Sequence, residues 1–181
     1  MHGTENPSVW LQRWAHLIAP GSRVLDVACG AGRHMRWLNT QGHAVQGVDR
    51  NPDAVALARA FGDVTCADIE NGPWPFTGQT FGCVVVTHYL WRPLLPAIVQ
   101  AVAPGGLLIY ETFAAGNESV GKPSRADFLL QPGELLRTTE SLRTVAYEDG
   151  FEASPDRFVQ RIAAVRPLHQ ADVLRLPLRA D

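Results

Sequence analysis

The chain has 181 residues, a formal net charge of −2 and a hydrophobic fraction of 46%. Residues 1–181 read as one domain with room for a sizeable core. The slightly acidic balance excludes a protein that draws in nucleic acid by overall charge. No apolar run reaches the roughly 18–20 residues a membrane helix needs, and Met1 to Ser8 lack a charged-then-apolar signal pattern, so the expected location is cytoplasmic. The three cysteines, Cys29, Cys66 and Cys83, are widely spaced and lie in or near apolar runs. They read as three buried thiols, and without close pairs they predict no metal site.

In chain order, Ser8 is a helix N-cap ahead of an amphipathic stretch over 9–18, with Trp10 and Trp14 on one face. Pro20-Gly21 ends it, so residues 1–20 form an N-terminal helical segment. A short apolar strand over 23–27 leads into a tight loop at Gly30–Gly32 and a helix over 33–41. A second strand over 43–48 closes on Asp49. Asn51 caps the next helix, with Pro52 at its first position and its body over 54–61. A third strand over 64–67 is followed by Asp68.

Residues 81–87 contain Cys83-Val84-Val85-Val86, the pattern of a strand buried on both faces of a parallel sheet. Residues 94–102 read as helix, and Pro104-Gly105-Gly106 as a turn into a strand over 107–110. Residues 113–133 are long, Gly/Pro-bearing and weakly periodic, which suggests a lid anchored by Phe128-Leu129-Leu130. Helical character returns over 134–137, and strands over 142–148 and 157–165 follow, joined by a turn over 149–156. The sum is an α/β protein: a Rossmann-like three-layer sandwich with a mostly parallel seven-stranded sheet and an antiparallel edge hairpin.

In such sheets ligands bind at the carboxyl ends of the strands. Here those ends carry Asp26 with Cys29-Gly30, then Asp49, Asp68 and Thr87-His88. Gly30 and Gly32 let the backbone turn sharply, and the helix start behind them suits an anion. That anion is a diphosphate or an amino-acid carboxylate. Met35 occupies the place where a dinucleotide fingerprint wants a third small residue, which favours the carboxylate. Asp49 can accept two ribose hydroxyls, and Asp68 an adenine amino group with Ile69 packed on the ring.

The segments 24–33, Gly47-Val48-Asp49-Arg50-Asn51, Ala67-Asp68-Ile69, 81–90 and Ala103-Pro104-Gly105-Gly106 resemble the ordered motifs of class I S-adenosylmethionine-dependent methyltransferases. Asp26-x-Ala-Cys-Gly-x-Gly-Arg33 is similar to the tellurite-resistance and thiopurine-type small methyltransferases. The resemblance spans roughly residues 20–111 and implies S-adenosylmethionine as cofactor. It assigns Asp26, Cys29, Gly30, Gly32, Asp49, Arg50, Asp68, Ile69 and Thr87 to the cofactor, and places residues 87–90 beside the reactive methyl. Two departures stand out. Ala28 replaces a common glycine, and Gly82-Cys83 replaces the usual Phe-Asp that opens the fourth strand.

The acceptor is less sharply written. Thr87-His88-Tyr89-Leu90 is not the Asn/Asp-Pro-Pro-Tyr/Phe pattern of exocyclic-amine methylation. No cysteine follows a proline as a C5 nucleophile would, and the single lysine, Lys122, lies in a loop. A small-molecule acceptor is therefore expected, with RNA or protein methylation and a non-catalytic cofactor-binding scaffold as alternatives. His88, Tyr89 and Glu111 are the candidate substrate-side residues. His88 reads either as a base or as a histidine packed beneath the next helix. Trp10, Arg13 and Trp14 are expected to join the lid over the pocket. Arg157, Arg161, Arg166, Arg175 and Arg179 read as a solvated face in preference to a phosphate-binding tail.

Overall fold

The computed structural model describes residues 6–169 and 175–179. Seven strands form one sheet: β1 (Arg23–Val27), β2 (Ala44–Asp49), β3 (Asp63–Cys66), β4 (Phe81–Thr87), β5 (Val102–Phe113), β6 (Arg143–Glu152) and β7 (Arg157–Val165). Their order is β3-β2-β1-β4-β5-β7-β6. The pairings among β1 to β5 are parallel, and β7 runs antiparallel to both β5 and β6. The α/β fold, the mostly parallel sheet and the edge hairpin agree with the sequence reading. No helix among the described residues is long and apolar enough to cross a membrane.

Strand alternation builds the layers. On β4, Val84 and Val86 face one core with Leu25, Val27, Leu108 and Tyr110. Cys83 and Val85 face the other, with Val24, Leu107 and Ile109. Helices α4 (Leu95–Gln100) and α5 (Glu134–Thr138) cover the first face through Ile98, Val99 and Leu135. Helices α1 (Val9–Trp14), α2 (Arg33–Thr40) and α3 (Pro52–Ala58) cover the second through Trp10, Trp14, Met35, Leu38 and Ala58. The period-2 pattern of a strand clothed on both sides thus accounts for the continuous apolar run.

The caps form as expected. The Ser8 hydroxyl accepts from Trp10 N and Leu11 N, and the Asn51 side chain accepts from Asp53 N and Ala54 N. Several boundaries move. The helix over 9–18 ends at Trp14 and continues as a 3-10 turn over Ala15–Leu17. Pro104-Gly105-Gly106 lies inside β5, where the β4–β5 register shifts between Phe81 and Cys83. β6 runs on to Glu152, because the Gly150–Val159, Phe151–Phe158 and Glu152–Arg157 pairs prolong the hairpin.

Two burial expectations are corrected. Cys66 is exposed while Cys29 and Cys83 are buried, because β3 is the edge strand and only β2 pairs with it. Arg157, Arg161 and Arg166 are not a solvated face, whereas Arg175 and Arg179 are exposed. Arg161 is 13% exposed and meets Glu148 at 2.9 Å, Glu152 at 3.0 Å and Glu111 at 3.4 Å. Arg166 donates to Val102 O and Val99 O, where α4 ends, and Arg157 pairs with Glu152.

Glu111, at the carboxyl end of β5, is also tied to the N-terminal segment. The Ser8 hydroxyl donates to its Oε1 at 2.7 Å, and the Arg161 guanidinium lies over the Trp10 ring. Removing one member of a buried ion pair leaves the other charge without a partner and costs about 3–5 kcal/mol. Arg161→Met is expected to destabilise by that order in urea denaturation, with part of the loss recovered in Glu111→Gln/Arg161→Met. An unchanged midpoint in the single variant would show that the cluster does not hold α1 to the sheet.

Candidate functional site

The loop between β1 and α2 turns through Gly30 at φ 55° and Gly32 at φ 81°. A Cβ on Gly32 would stand 3.0 Å from the Ala58 Cβ, so the left-handed turn and the packing on α3 both call for glycine. Ala28, which the resemblance marked as a departure from glycine, takes φ 55° as well. Asp49 holds this loop in place. Its Oδ2 accepts from Gly30 N and its Oδ1 from Asn51 N, each at 2.8 Å. The Cys29 thiol sits against Gly47 and Met35, on the core side of the loop. Burial pushes that thiol up, with the Asp26 and Asp49 carboxylates adding to the effect.

Beside the loop is a cavity of about 120 Å³ lined by Ala28, Asp49, Arg50, Ala67, Asp68, Ile69, Glu70 and Tyr89. It therefore collects the carboxyl ends of β1, β2, β3 and β4 at the switch point of the sheet. Asp68 accepts from Glu70 N, Asn71 N and the Asn71 side-chain amide. The Asn71 amide and then the Glu70 N–H hold its carboxyl below the usual range. Arg50 reaches across to Glu70 at 3.6 Å. The Tyr89 hydroxyl is buried at this cavity with no hydrogen-bond partner among the described residues. Burial pushes its phenol up, so it stays a donor.

Asp26 is fully buried and points to the α2 side of the sheet. Neither of its oxygens has a hydrogen-bond partner among the described residues. His34 Nδ1 lies 3.7 Å from Asp26 Oδ2 and 3.5 Å from the Thr87 hydroxyl. Asp26, His34 and Thr87 thus form a small polar island between β1, α2 and β4. His34 was not among the sequence candidates. It directly follows Gly30-Ala31-Gly32-Arg33, and the first turn of α2 points it inward.

A second cavity, of about 320 Å³, is lined by Glu70, His88, Tyr89, Leu90, Thr112, Phe113, Pro123 and Phe128. Tyr89 and Glu70 belong to both cavities and stand between them. The segment over 113–133 contributes Phe113, Pro123 and Phe128. It is anchored from behind: Leu129 and Leu130 are buried, and Arg92 donates to both Glu134 oxygens and to Asp127 O and Leu129 O. The expected contribution of Trp10, Arg13 and Trp14 to this pocket is corrected. Both tryptophans are buried against the sheet face, and Arg13 pairs with Glu148. Glu111 faces Ser8 and Arg161 and is not on the cavity wall. A further hollow of about 310 Å³, near Trp74 and Gln100, lies at the amino end of β4, away from the strand-end acids.

His88 has φ 53°, a strained conformation for a residue with a Cβ. Its amide donates to Glu111 O, and its ring lies 5.1 Å from Phe113, tilted by 30°. Arg33 and Arg157 flank its two nitrogens at 3.4 and 3.3 Å. The residue as a whole is exposed. Desolvation by the surrounding protein, then the Arg33 and Arg157 charges, lower its pKa from 6.5 to about 4 against the pull of Glu111.

Residues 24–106 match a family model described as a methyltransferase domain. Demethylmenaquinone methyltransferase of Tropheryma whipplei is 28% identical over 106 residues, covering 54% of this chain and 44% of its own. The chain therefore spans less than half the length of that curated relative. Among solved structures, TehB of Haemophilus influenzae superposes with a TM-score of 0.66 at 20% identity, covering 84% of this chain and 59% of its own. An S-adenosylmethionine-dependent methyltransferase of Methanosarcina mazei gives a TM-score of 0.70 at 13% identity, covering 91% of this chain and all of its own.

Two outcomes follow from the loop and from His88. A left-handed residue with a Cβ costs roughly 1–2 kcal/mol, and glycine returns part of that as extra freedom of the unfolded chain. Ala28→Gly is therefore expected to raise stability by a few tenths to about 1 kcal/mol in denaturant titration; a loss would remove the strain assigned to this position. His88 takes up a proton more readily unfolded than folded. Its stabilising contribution is complete above pH 6.5 and is lost as pH falls toward about 4. The stability difference between wild type and His88→Asn should change across that window and level off above it; a flat difference curve would contradict the lowered pKa.

Proposed function

We propose that this chain, whose residues 24–106 match a methyltransferase-domain model, is a class I S-adenosylmethionine-dependent methyltransferase similar to the TehB-like enzymes and transfers the methyl group of S-adenosylmethionine to a small-molecule acceptor. The observation that carries this reading is the pair of adjoining cavities that share Tyr89 and Glu70 at the carboxyl edge of the sheet. The smaller lies among the strand-end acids, with Ala28 at the start of the glycine loop on its wall. The larger lies under the anchored segment over 113–133.

The residues present fit the cofactor. Asp49 retains lone pairs for ribose hydroxyls while holding Gly30 and Asn51. Asp68 and the Tyr89 hydroxyl offer an acceptor and a donor at the adenine end, where Ile69 supplies an apolar face. Gly30 and Gly32 bring backbone against the methionine end. Asp26 is a buried carboxylate with unfilled acceptor positions, the character a nearby ammonium requires. When bound, the cofactor supplies an electrophilic methyl and its own leaving group.

The protein's own contribution is alignment and exclusion of water. Tyr89 forms the wall between donor and acceptor, and its backbone carbonyl is fixed by the Tyr110 hydroxyl at 2.9 Å. Phe113, Pro123 and Phe128 cover the acceptor side as a lid. His88, neutral with a pKa of about 4, is too weak a base to deprotonate an alcohol or amine efficiently near neutral pH. It suits orientation of an acceptor whose nucleophile needs little help. We place the enzyme in the cytoplasm. The β7 arginines, engaged with Glu111, Glu148, Glu152 and the end of α4, no longer favour a nucleic-acid acceptor.

The test is cofactor titration followed by measurement of S-adenosylhomocysteine release over a panel of small acceptors. Binding with turnover is the expected outcome. Binding with no turnover on any acceptor would leave a scaffold, and absence of binding would remove the assignment. Asp49→Ala should weaken S-adenosylmethionine binding by about 1.5–3 kcal/mol, the scale of a charged hydrogen bond. Unchanged affinity by calorimetry would exclude Asp49 from the cofactor site.

A further inference from the structure

One carboxylate borders both cavities. Glu70 comes four residues after β3 and lines the cofactor-side cavity and the acceptor cavity together with Tyr89. Its backbone is fixed, because the Asp68 side chain accepts from Glu70 N at 3.0 Å and from Asn71 N at 3.2 Å. Its carboxylate keeps acceptor positions. Arg50 stands 3.6 Å away, beyond hydrogen-bond distance, and the Arg50 side chain is 67% exposed. An ion pair of that kind contributes little, and a carboxylate has about four lone-pair sites to fill. After burial, Glu70 is the charge that raises the Tyr89 phenol most, ahead of Asp68. That agrees with a carboxylate set beside the wall the two cavities share. The rest of the acceptor cavity is mainly apolar: Leu90, Phe113, Pro123 and Phe128. No lysine or arginine lines it among the described residues, and His88 is neutral, so Glu70 is the charged side chain of that wall.

We propose that Glu70 selects the acceptor: a flat, largely apolar molecule bearing an amine, whose nitrogen donates a hydrogen bond to the Glu70 carboxylate and takes the methyl. This rests on the methyltransferase reading above and names the substrate class of its acceptor cavity. A volume of about 320 Å³ suits a small molecule, and the rings of Tyr89, Phe113 and Phe128 suit a flat body. A single acceptor-only group among apolar walls discriminates by charge and by hydrogen bonding. An amine satisfies it, whereas a carboxylate or a small oxyanion sets like charges together with no donor between them. The chemistry points the same way. The neutral nitrogen attacks with its lone pair, the N–C bond forms as the S–C bond breaks, and the bonding pair stays on sulfur. The positive charge thereby passes from sulfur to nitrogen, and a carboxylate that lines both cavities favours the charge at its new position. An acceptor that arrives as an ammonium first loses one proton to water, to which Glu70 is partly open. Glu70 is neither consumed nor protonated in the step.

The test titrates three matched ligands, tryptamine, tryptophol and indole-3-acetate, into protein saturated with S-adenosylhomocysteine, by calorimetry near neutral pH and at low salt. Tryptamine is expected to bind about ten-fold or more tightly than indole-3-acetate, the scale of a charge-assisted hydrogen bond, with tryptophol between them. Glu70→Gln keeps the shape and removes the charge, and should collapse the amine-to-acid ratio toward one. Glu70→Asp should retain part of it. Amine and acid binding within about two-fold in the wild type, or a ratio that Glu70→Gln leaves unmoved, would overturn the proposal. Tryptophol binding as tightly as tryptamine would overturn the choice of an amine. S-Adenosylhomocysteine affinity is measured first in the wild type and in both variants. Its absence in the wild type would sink the methyltransferase reading and this proposal together, whereas its presence with equal amine and acid binding sinks this proposal alone.

Discussion

The Asp49 carboxylate takes Gly30 N on one oxygen and Asn51 N on the other. One side chain at the end of β2 thereby fixes the loop after β1 and the start of α3. Two charge-assisted bonds at about 1.5–3 kcal/mol each outweigh the roughly 1–2 kcal/mol of placing Ala28 in a left-handed conformation. The loop therefore keeps its shape although Ala28 carries a Cβ in a left-handed conformation. The Asn51 cap depends on the same residue, because Asp49 orients the Asn51 amide while the Asn51 side chain serves the next turn. The cofactor-side cavity is the space these bonds leave between the loop and Asp68-Ile69-Glu70.

Two buried carboxylates, on strands separated by β4, meet opposite fates. Glu111 on β5 is saturated: Ser8 and Arg161 reach its two oxygens, and Arg161 is in turn held by Glu148 and Glu152. Asp26 on β1 has His34 at 3.7 Å and no hydrogen bond from any described residue. A buried charged group left without hydrogen bonds is costly, and a fold retains one where something else completes it. Glu111 therefore reads as architecture joining α1 to the sheet, while Asp26 keeps unfilled acceptor positions, the ground on which it is proposed for the cofactor. The sequence ranked both as site residues because both end apolar strands. Only the partners arriving from Ser8 and β7 separate them.

The fold was legible wherever periodicity and capping are local. The doubly buried run on β4, the Ser8 and Asn51 caps, and the glycine loop all act within a few residues of themselves, and all stand where the sequence placed them. Position across the sheet was less legible. Cys66 looked apolar in context, but β3 is an edge strand and leaves the thiol in solvent. The Arg157, Arg161 and Arg166 spacing looked like a solvated face, because the glutamates that engage Arg157 and Arg161 lie on β5 and β6. His34 was hidden as an ordinary position after the glycine loop. Arg157 comes beside His88 only because β7 inserts between β5 and β6, a non-local pairing that no short-range pattern announces.

The same insertion decides what surrounds His88. Without β7 next to β5, the end of β4 would face only the apolar segment over 113–133 and the Arg33 side chain. With it, a second guanidinium arrives from the far side of His88, while Glu70 comes from the β3 side past Tyr89. Orientation is what a displacement at a methyl carbon requires of the protein, since the cofactor brings its own leaving group. The strand order of the sheet therefore sets the surroundings of His88, which the local run Thr87-His88-Tyr89 does not carry.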